Sequence, residues 1–229
     1  MIAVKKRIEE KDQVSEDFID RFNIEDENKE IIDDAQKIII NNFDNKELIE
    51  EEIILNPKKY ILSKTDTRGV IEYGNDYFVE ISGYSENELI GQPHSIIRHP
   101  DMPKVVFKLL WQRIKSHENI IAVVKNRAKD GRYYWVITDF EIKIDKITNK
   151  VTGYFAYRKA APREAIRNIE PLYAKLIEIE KTSGVDGSLK YLTALLESEN
   201  KTYDQFIDEV TGRNSLMKIW FKAMKKFFS

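Results

Sequence analysis

The stretch Ile120 to Ile144, IIAVVKNRAKDGRYYWVITDFEIKI, decides how the rest of the chain is read. Two runs rich in β-branched and aromatic residues, Ile120–Arg127 and Tyr133–Ile144, flank Ala128-Lys129-Asp130-Gly131, whose aspartate and glycine are strong turn formers. The reading is a hairpin of two long strands. A third run, Val151–Arg158, follows the polar turn Thr148-Asn149-Lys150. Upstream, Tyr60–Thr65 and Val70–Tyr73 read as two shorter strands joined through Asp66-Thr67-Arg68-Gly69.

Between these two groups of strands the pattern is helical but broken. Phe78, Val79 and Ile81 make one short apolar face, which Gly83 stops. Ser85-Glu86-Asn87-Glu88 has the spacing of a capping box, Leu89 and Ile90 supply the apolar side, and Gly91-Gln92-Pro93 ends that helix. Asp101, Met102 and Pro103 start a longer helix, with proline early where its missing amide costs nothing. Val106, Phe107, Leu110, Trp111 and Ile114 then recur at spacings of three and four. A chain keeps several one- or two-turn helices in series chiefly where they wrap a cavity or one face of a sheet. The whole order predicts an α+β fold, a five-stranded antiparallel sheet with short helices on one face and flanking helices beyond it.

Three regions follow from the changes in texture. Residues 1–57 read as an acidic helical extension, with Ile31, Ile32, Ala35, Ile38 and Ile39 in one stripe and Leu48, Ile49, Ile53 and Ile54 in a second. Residues 58–160 form the central domain. Residues 161–229 read as helical: Ile166, Ile169, Leu172, Tyr173, Leu176 and Ile177 run up to Ser183-Gly184-Val185-Asp186-Gly187, and Leu189, Leu192, Leu195 and Leu196 resume the stripe. There is no long heptad run, so compact packing or a homodimer interface fits these helices better than a coiled coil.

With 42% apolar and 33% charged residues in 229, the chain has the composition of a globular protein. It contains no cysteine, which excludes disulfides, thiolate-held iron–sulfur clusters, cysteine nucleophiles and cysteinyl adducts to a flavin. A reducing, cytoplasmic compartment is expected. No apolar run approaches the roughly 20 residues of a membrane span, so membrane contact is expected to be peripheral or through a partner. The net charge of -2 carries no bias toward nucleic acid, and no nucleic-acid partner is expected. Residues 9–52 are acidic and the C-terminal end is basic, a segregation that suits docking between modules and also arises at chain ends without a role.

Two constellations carry the candidate chemistry. Ile97-Arg98-His99-Pro100-Asp101-Met102-Pro103 combines a planar fork of donors, an imidazole and two rigid prolines, next to a helix start whose free amides favour an anion. It reads either as a structural tie between loop and sheet or as the edge of a cofactor pocket. Asn126 and Trp135 on neighbouring strands, Trp111 on the helix above them and Asn75 form the second set. Indoles with a few amides can hold a flat, hydrogen-bonding ring, and the same tryptophans can equally be plain core. Neither set has the paired carboxylates, serine–histidine pair or metal cluster of an enzyme. Ser215–Phe228 is basic and amphipathic, suited to an anionic membrane, a partner's groove or packing on its own protein.

One resemblance is specific. Tyr73-Gly74-Asn75-Asp76-Tyr77-Phe78, Ile81-Ser82-Gly83-Tyr84-Ser85, Glu88-Leu89-Ile90-Gly91-Gln92-Pro93-His94, Arg98-His99-Pro100-Asp101-Met102-Pro103, Leu110-Trp111, Val124-Lys125-Asn126-Arg127, Lys129-Asp130-Gly131 and Tyr134-Trp135-Val136 stand in the order found in PAS domains of the bacterial aerotaxis receptor type. The central domain, over about residues 60 to 165, resembles that family. The resemblance implies a PAS fold, noncovalent FAD, and indirect sensing of oxygen through the redox state of the flavin. It places Arg98, His99, Asp101, Trp111, Asn126 and Trp135 where they line or brace the flavin, with Asn75 nearby. The chain looks like the split arrangement, a stand-alone energy-taxis protein that signals through a separate membrane-bound chemoreceptor. Ala161 through Phe206 is similar to the helical tail of such proteins. The rival readings are a cofactor-free PAS adaptor for dimerisation or docking, and a haem-based gas sensor using His94 or His99.

Overall fold

The computed structural model describes residues 48–116, 118–212, 221–224 and 226. Its elements are β1 (Ile61–Thr65), β2 (Ile71–Gly74), α1 (Asp76–Ser82), α2 (Glu86–Leu89), a 3-10 turn (His94–Ile97), α3 (Lys104–Lys115), β3 (Ile120–Arg127), β4 (Tyr133–Ile144), β5 (Val151–Ala160), α4 (Arg163–Ser198) and α5 (Tyr203–Val210). The strands form one antiparallel sheet in the order β2-β1-β5-β4-β3. This is the expected α+β fold class. The N-terminal stripe Ile31–Ile39 and most of the basic segment Ser215–Phe228 lie outside the described residues; within the latter, Phe221 is buried.

The local signals work as their chemistry dictates. Asn75 caps α1, its Oδ1 accepting the amide of Phe78 at 3.1 Å, and Gly83 ends it at φ 70, a conformation that only glycine adopts cheaply. The capping box of α2 forms, with the Glu88 carboxylate accepting the Ser85 amide at 3.0 Å. Pro103 is the N-cap of α3, one position before the helical residues, so the sequence reading began that helix slightly early. Gly153 is required by proximity: a Cβ there would lie 2.2 Å from the Thr65 carbonyl oxygen, where β5 crosses the end of β1.

Residues 48–57 correct the expectation of an acidic helix reaching Pro57. They run without helix beside the start of β4, with Glu52 bridging Tyr133 in parallel. The Ile53 amide donates to the Tyr133 carbonyl at 2.7 Å and the Tyr133 amide to that of Glu51 at 3.1 Å. The reason lies in the sheet. β5 pairs with β4 only from Val136 onward, so the backbone at Tyr133 has no partner on that side until the 48–55 segment supplies one. An unpaired strand edge outweighs a weak helical stripe.

α4 continues through Pro171 and kinks at Gly184, whose φ of 67 and ψ of -174 are not helical. The interruption expected at residues 183–187 is therefore a bend inside one long element. α4 covers the face of the sheet opposite α1–α3: the Tyr173 hydroxyl donates to the Val123 carbonyl at 2.7 Å, and its ring stacks on Trp135. With α3 and α5 it encloses an apolar seam that includes Val106, Ile169, Leu176, Leu192 and Ile207. Among the described residues no helix is long and apolar enough to cross a membrane.

Candidate functional site

Strand alternation sorts the side chains onto two faces. Ser63 on β1, Val124 and Asn126 on β3, Thr138 and Phe140 on β4, and Ala156 and Arg158 on β5 point to the same side. Phe107, Leu110, Trp111 and Ile114 of α3 close over them, and His94, Ser95 and Arg98 complete the rim. Together they surround a hollow of about 700 Å³, counting the space at its mouth. Trp111 meets Tyr154 edge to face at 5.5 Å, which holds the indole as one wall.

The hollow is apolar on its walls and cationic on its floor. Arg158 is fully buried, and its guanidinium donates to Ser63 Oγ at 2.9 Å, to the Ala156 carbonyl at 3.3 Å and to His94 Nε2 at 2.8 Å. Because a guanidinium can only donate, His94 Nε2 is the acceptor and the ring proton sits on Nδ1. Burial, with the Arg158 and Arg98 charges beside it, holds His94 well below its usual range and therefore neutral. Phe78 stacks on the imidazole at 5.9 Å. At the mouth the Arg98 guanidinium lies 3.8 Å from the centre of the Phe107 ring. Among the described residues no acidic side chain lines the hollow. Two buried polar groups there are under-satisfied: Thr138 Oγ1 has no hydrogen-bond partner, and Asn126 Nδ2 has none in good geometry although it lies beside the Tyr134 hydroxyl. A buried group left without a partner costs about 1–3 kcal/mol unless something outside the chain completes it.

Of the residues singled out from the sequence, Arg98, Trp111 and Asn126 are brought together here. The backbone joins two of them, since Arg98 and Asn126 form an antiparallel bridge at the free edge of β3. His99, one residue later, turns the other way. It is buried against Tyr133, its Nδ1 accepts the Asp101 amide at 3.1 Å, and the Asp101 carboxylate takes Lys125 Nζ at 3.0 Å. Burial, reinforced by the Lys125 charge, lowers His99 to about 4.

Trp135 is also on the far face. It pairs with Lys125 in the ladder, one step out of phase with Asn126, and stacks on Tyr173 at 6.4 Å. It braces the sheet against α4 and does not wall the hollow, a correction to the expected pairing of the two indoles. Asn75 is occupied as a clamp: its Oδ1 also accepts the Leu62 amide at 3.0 Å and its Nδ2 donates to the Tyr60 carbonyl at 3.0 Å. The free amides expected at the start of α3 are taken by a carboxylate of the chain itself, Glu180. Sequence reasoning missed Arg158, Ser63 and Thr138 as wall residues and weighed His94 only as a haem ligand. An arginine at even phase with Tyr154 and Ala156 in a strand was the available signal for the first.

With Nε2 of His94 engaged by Arg158 and Nδ1 of His99 engaged by a backbone amide, each imidazole already has its lone pair occupied. Among the described residues no group of three or more His, Asp or Glu side chains could hold a metal ion.

Comparison with known proteins agrees with the fold. Residues 71–153 match the family model described as the PAS fold, a sensory rather than catalytic module. The chain is 42% identical over 116 residues to the aerotaxis receptor of Escherichia coli, covering 51% of this chain and 22% of that protein. It is 30% identical over 78 residues to the nitrogen fixation regulatory protein of Klebsiella pneumoniae, covering 34% of this chain and 16% of that one. The matches thus span under a quarter of the length of these relatives. Among solved structures, the light state of the blue-light photoreceptor Aureochrome1 LOV is similar over 52% of this chain and 91% of that one, at 18% identity and a TM-score of 0.42.

Proposed function

We propose that this chain, which carries a PAS sensor domain related to that of the bacterial aerotaxis receptor, is a redox sensor that holds FAD noncovalently in the hollow and reports its oxidation state to a membrane-bound chemoreceptor-like protein. The observation that carries the reading is the hollow's own chemistry: an indole wall, two under-satisfied polar groups, two guanidiniums and, among the described residues, no carboxylate. A flavin supplies a flat, electron-accepting ring whose charge and protonation change on reduction. Trp111, Leu110 and Phe107 would give that ring apolar contact, Asn126 and Thr138 would read its polar edge, and Arg98 would hold negative charge at the mouth. His99, Asp101, Trp135 and Asn75 would act from behind, by fixing the loop and the sheet. With no cysteine, a cysteinyl photoadduct is not available to this chain.

In this scheme residues 58–160 sense and the flanks carry the output. Because α3 is both a wall of the hollow and a partner of α4, a shift at the ring would reach the C-terminal helices directly, and a coupling of about 1–3 kcal/mol would be enough. The test is reconstitution of the purified full chain with FAD, followed by desalting. Retained flavin absorption that dithionite bleaches is the expected result, and Trp111→Ala or Asn126→Ala should release the flavin at least tenfold more readily. Wild-type protein that emerges colourless after reconstitution would end this reading.

A further inference from the structure

Among the described residues Arg158 is the largest fully buried side chain, and none of the residues lining the hollow gives it a counter-charge. All of its described bonds are to neutral groups: a serine hydroxyl, a backbone carbonyl and a neutral imidazole. Burial brings it down only to about 10, so it is a cation at neutral pH. The neighbouring Tyr134 phenol offers no balancing charge, because its own burial pushes its ionisation upward. Asp139 and Glu141 alternate to the far face of β4 with Trp135. Carrying an unpaired cation into the interior is costly. A neutral side chain of the same reach would avoid that cost and still fill the space. The charge therefore has a use when the site is filled.

We infer that Arg158, oriented by His94 and Ser63, is the group that compensates negative charge on the bound ring, and so favours its reduced form over its oxidised form. This inference rests on the flavin reading above and adds to it the residue that sets the sensor's threshold. Reduction brings two electrons from an external reductant and one proton from solvent, leaving one negative charge on the ring. Arg158 keeps its proton throughout, and no bond to the protein forms or breaks. The neutral His94 contributes by accepting from Nη2 at 2.8 Å, which aims the guanidinium without neutralising it.

The experiment is a dye-coupled redox titration of the FAD-loaded full chain. Arg158→Gln should lower the preference for the reduced form about tenfold, a midpoint about 30 mV lower for a two-electron couple. Ser63→Asp is the second variant, because it gives Arg158 a partner in place and should lower the midpoint in the same direction even if Arg158→Gln folds poorly. Arg158→Lys should retain most of the wild-type value. Midpoints unchanged in both Arg158→Gln and Ser63→Asp, with flavin still bound, overturn the inference and leave the flavin reading standing. Equal weakening of oxidised and reduced FAD by Arg158→Gln, with no midpoint shift, also overturns it, since Arg158 would then be a plain anchor for the phosphates. A wild-type chain that holds no flavin removes the reading and this inference together.

Discussion

The carboxylate of Glu180 accepts the amide of Lys104 at 2.9 Å and that of Val105 at 2.8 Å, so the first turn of α3 is capped by a side chain 76 residues further along the chain. Pro103 cannot do this itself, having no side-chain acceptor. Ser188 holds the same carboxylate from beyond the kink, donating to Oε1 at 3.1 Å, a reach that the bend at Gly184 makes geometrically available. The helix that walls the hollow is thus tied by its N-terminus to the helix that packs on the far face of the sheet.

Removing that tie should be measurable. Glu180→Ala is expected to lower stability by about 1 kcal/mol, within the range for loss of a helix cap. The readout is the urea midpoint at unchanged slope, and Glu180→Gln should recover part of the loss because its amide oxygen still accepts. An unchanged midpoint in Glu180→Ala would mean the cap contributes nothing.

The two tryptophans of the central domain should behave oppositely. Trp135→Ala removes a buried ring stacked on Tyr173 and should cost about 3–5 kcal/mol, as large-to-small core changes do. Trp111→Ala, half-buried at the wall of the hollow, should cost less stability but lose flavin retention. Thermal melts of the flavin-free proteins and flavin retention of the loaded ones separate the two roles. Equal flavin loss in a folded Trp135→Phe would place that indole nearer the ring than the register allows.

His94 and His99 make the fold sensitive to acid. Both are held neutral in the folded chain below their ordinary range, while in the unfolded chain they titrate near about 6.5. Below that pH the unfolded state binds more protons than the folded state, so stability falls as pH falls. For His99 the loss continues down to about 4, where the folded imidazole itself takes up a proton. Each histidine contributes a slope of at most about 1.4 kcal/mol per pH unit. Urea melts between about pH 6.5 and about pH 5, above most of the carboxylate range, should show a shallower slope in His99→Gln than in wild type. Parallel slopes would mean that the imidazole charges freely in the fold.

The strands, the capping box at Ser85 and Glu88, and the stop at Gly83 were legible because each depends on residues within a few positions of one another. The hollow was legible in part. Arg98, Trp111 and Asn126 were named and converge, but Trp135 was assigned to the same wall although one ladder step separates it from the phase of Asn126. Asn75 was read for its amide, and its position directly before Asp76-Tyr77-Phe78 was the signal of a helix cap. Arg158 passed unnoticed because a charged residue near the end of an apolar strand reads as solvent-facing until something covers it.

Period-two alternation, turn chemistry and helix capping are short-range, so the amino-acid order alone determined five antiparallel strands with short helices between the second and the third. Which face of each strand meets the hollow depends on register between segments far apart in the chain, and burial is a property of what lies on top. Only the tertiary structure could decide that Arg158 is sealed in beside a neutral His94, that Glu180 caps a distant helix, and that residues 48–57 complete an edge of β4 and form no helix there. In each case a backbone or side-chain group otherwise denied a partner by its neighbours in sequence found one, or was left without one, in space.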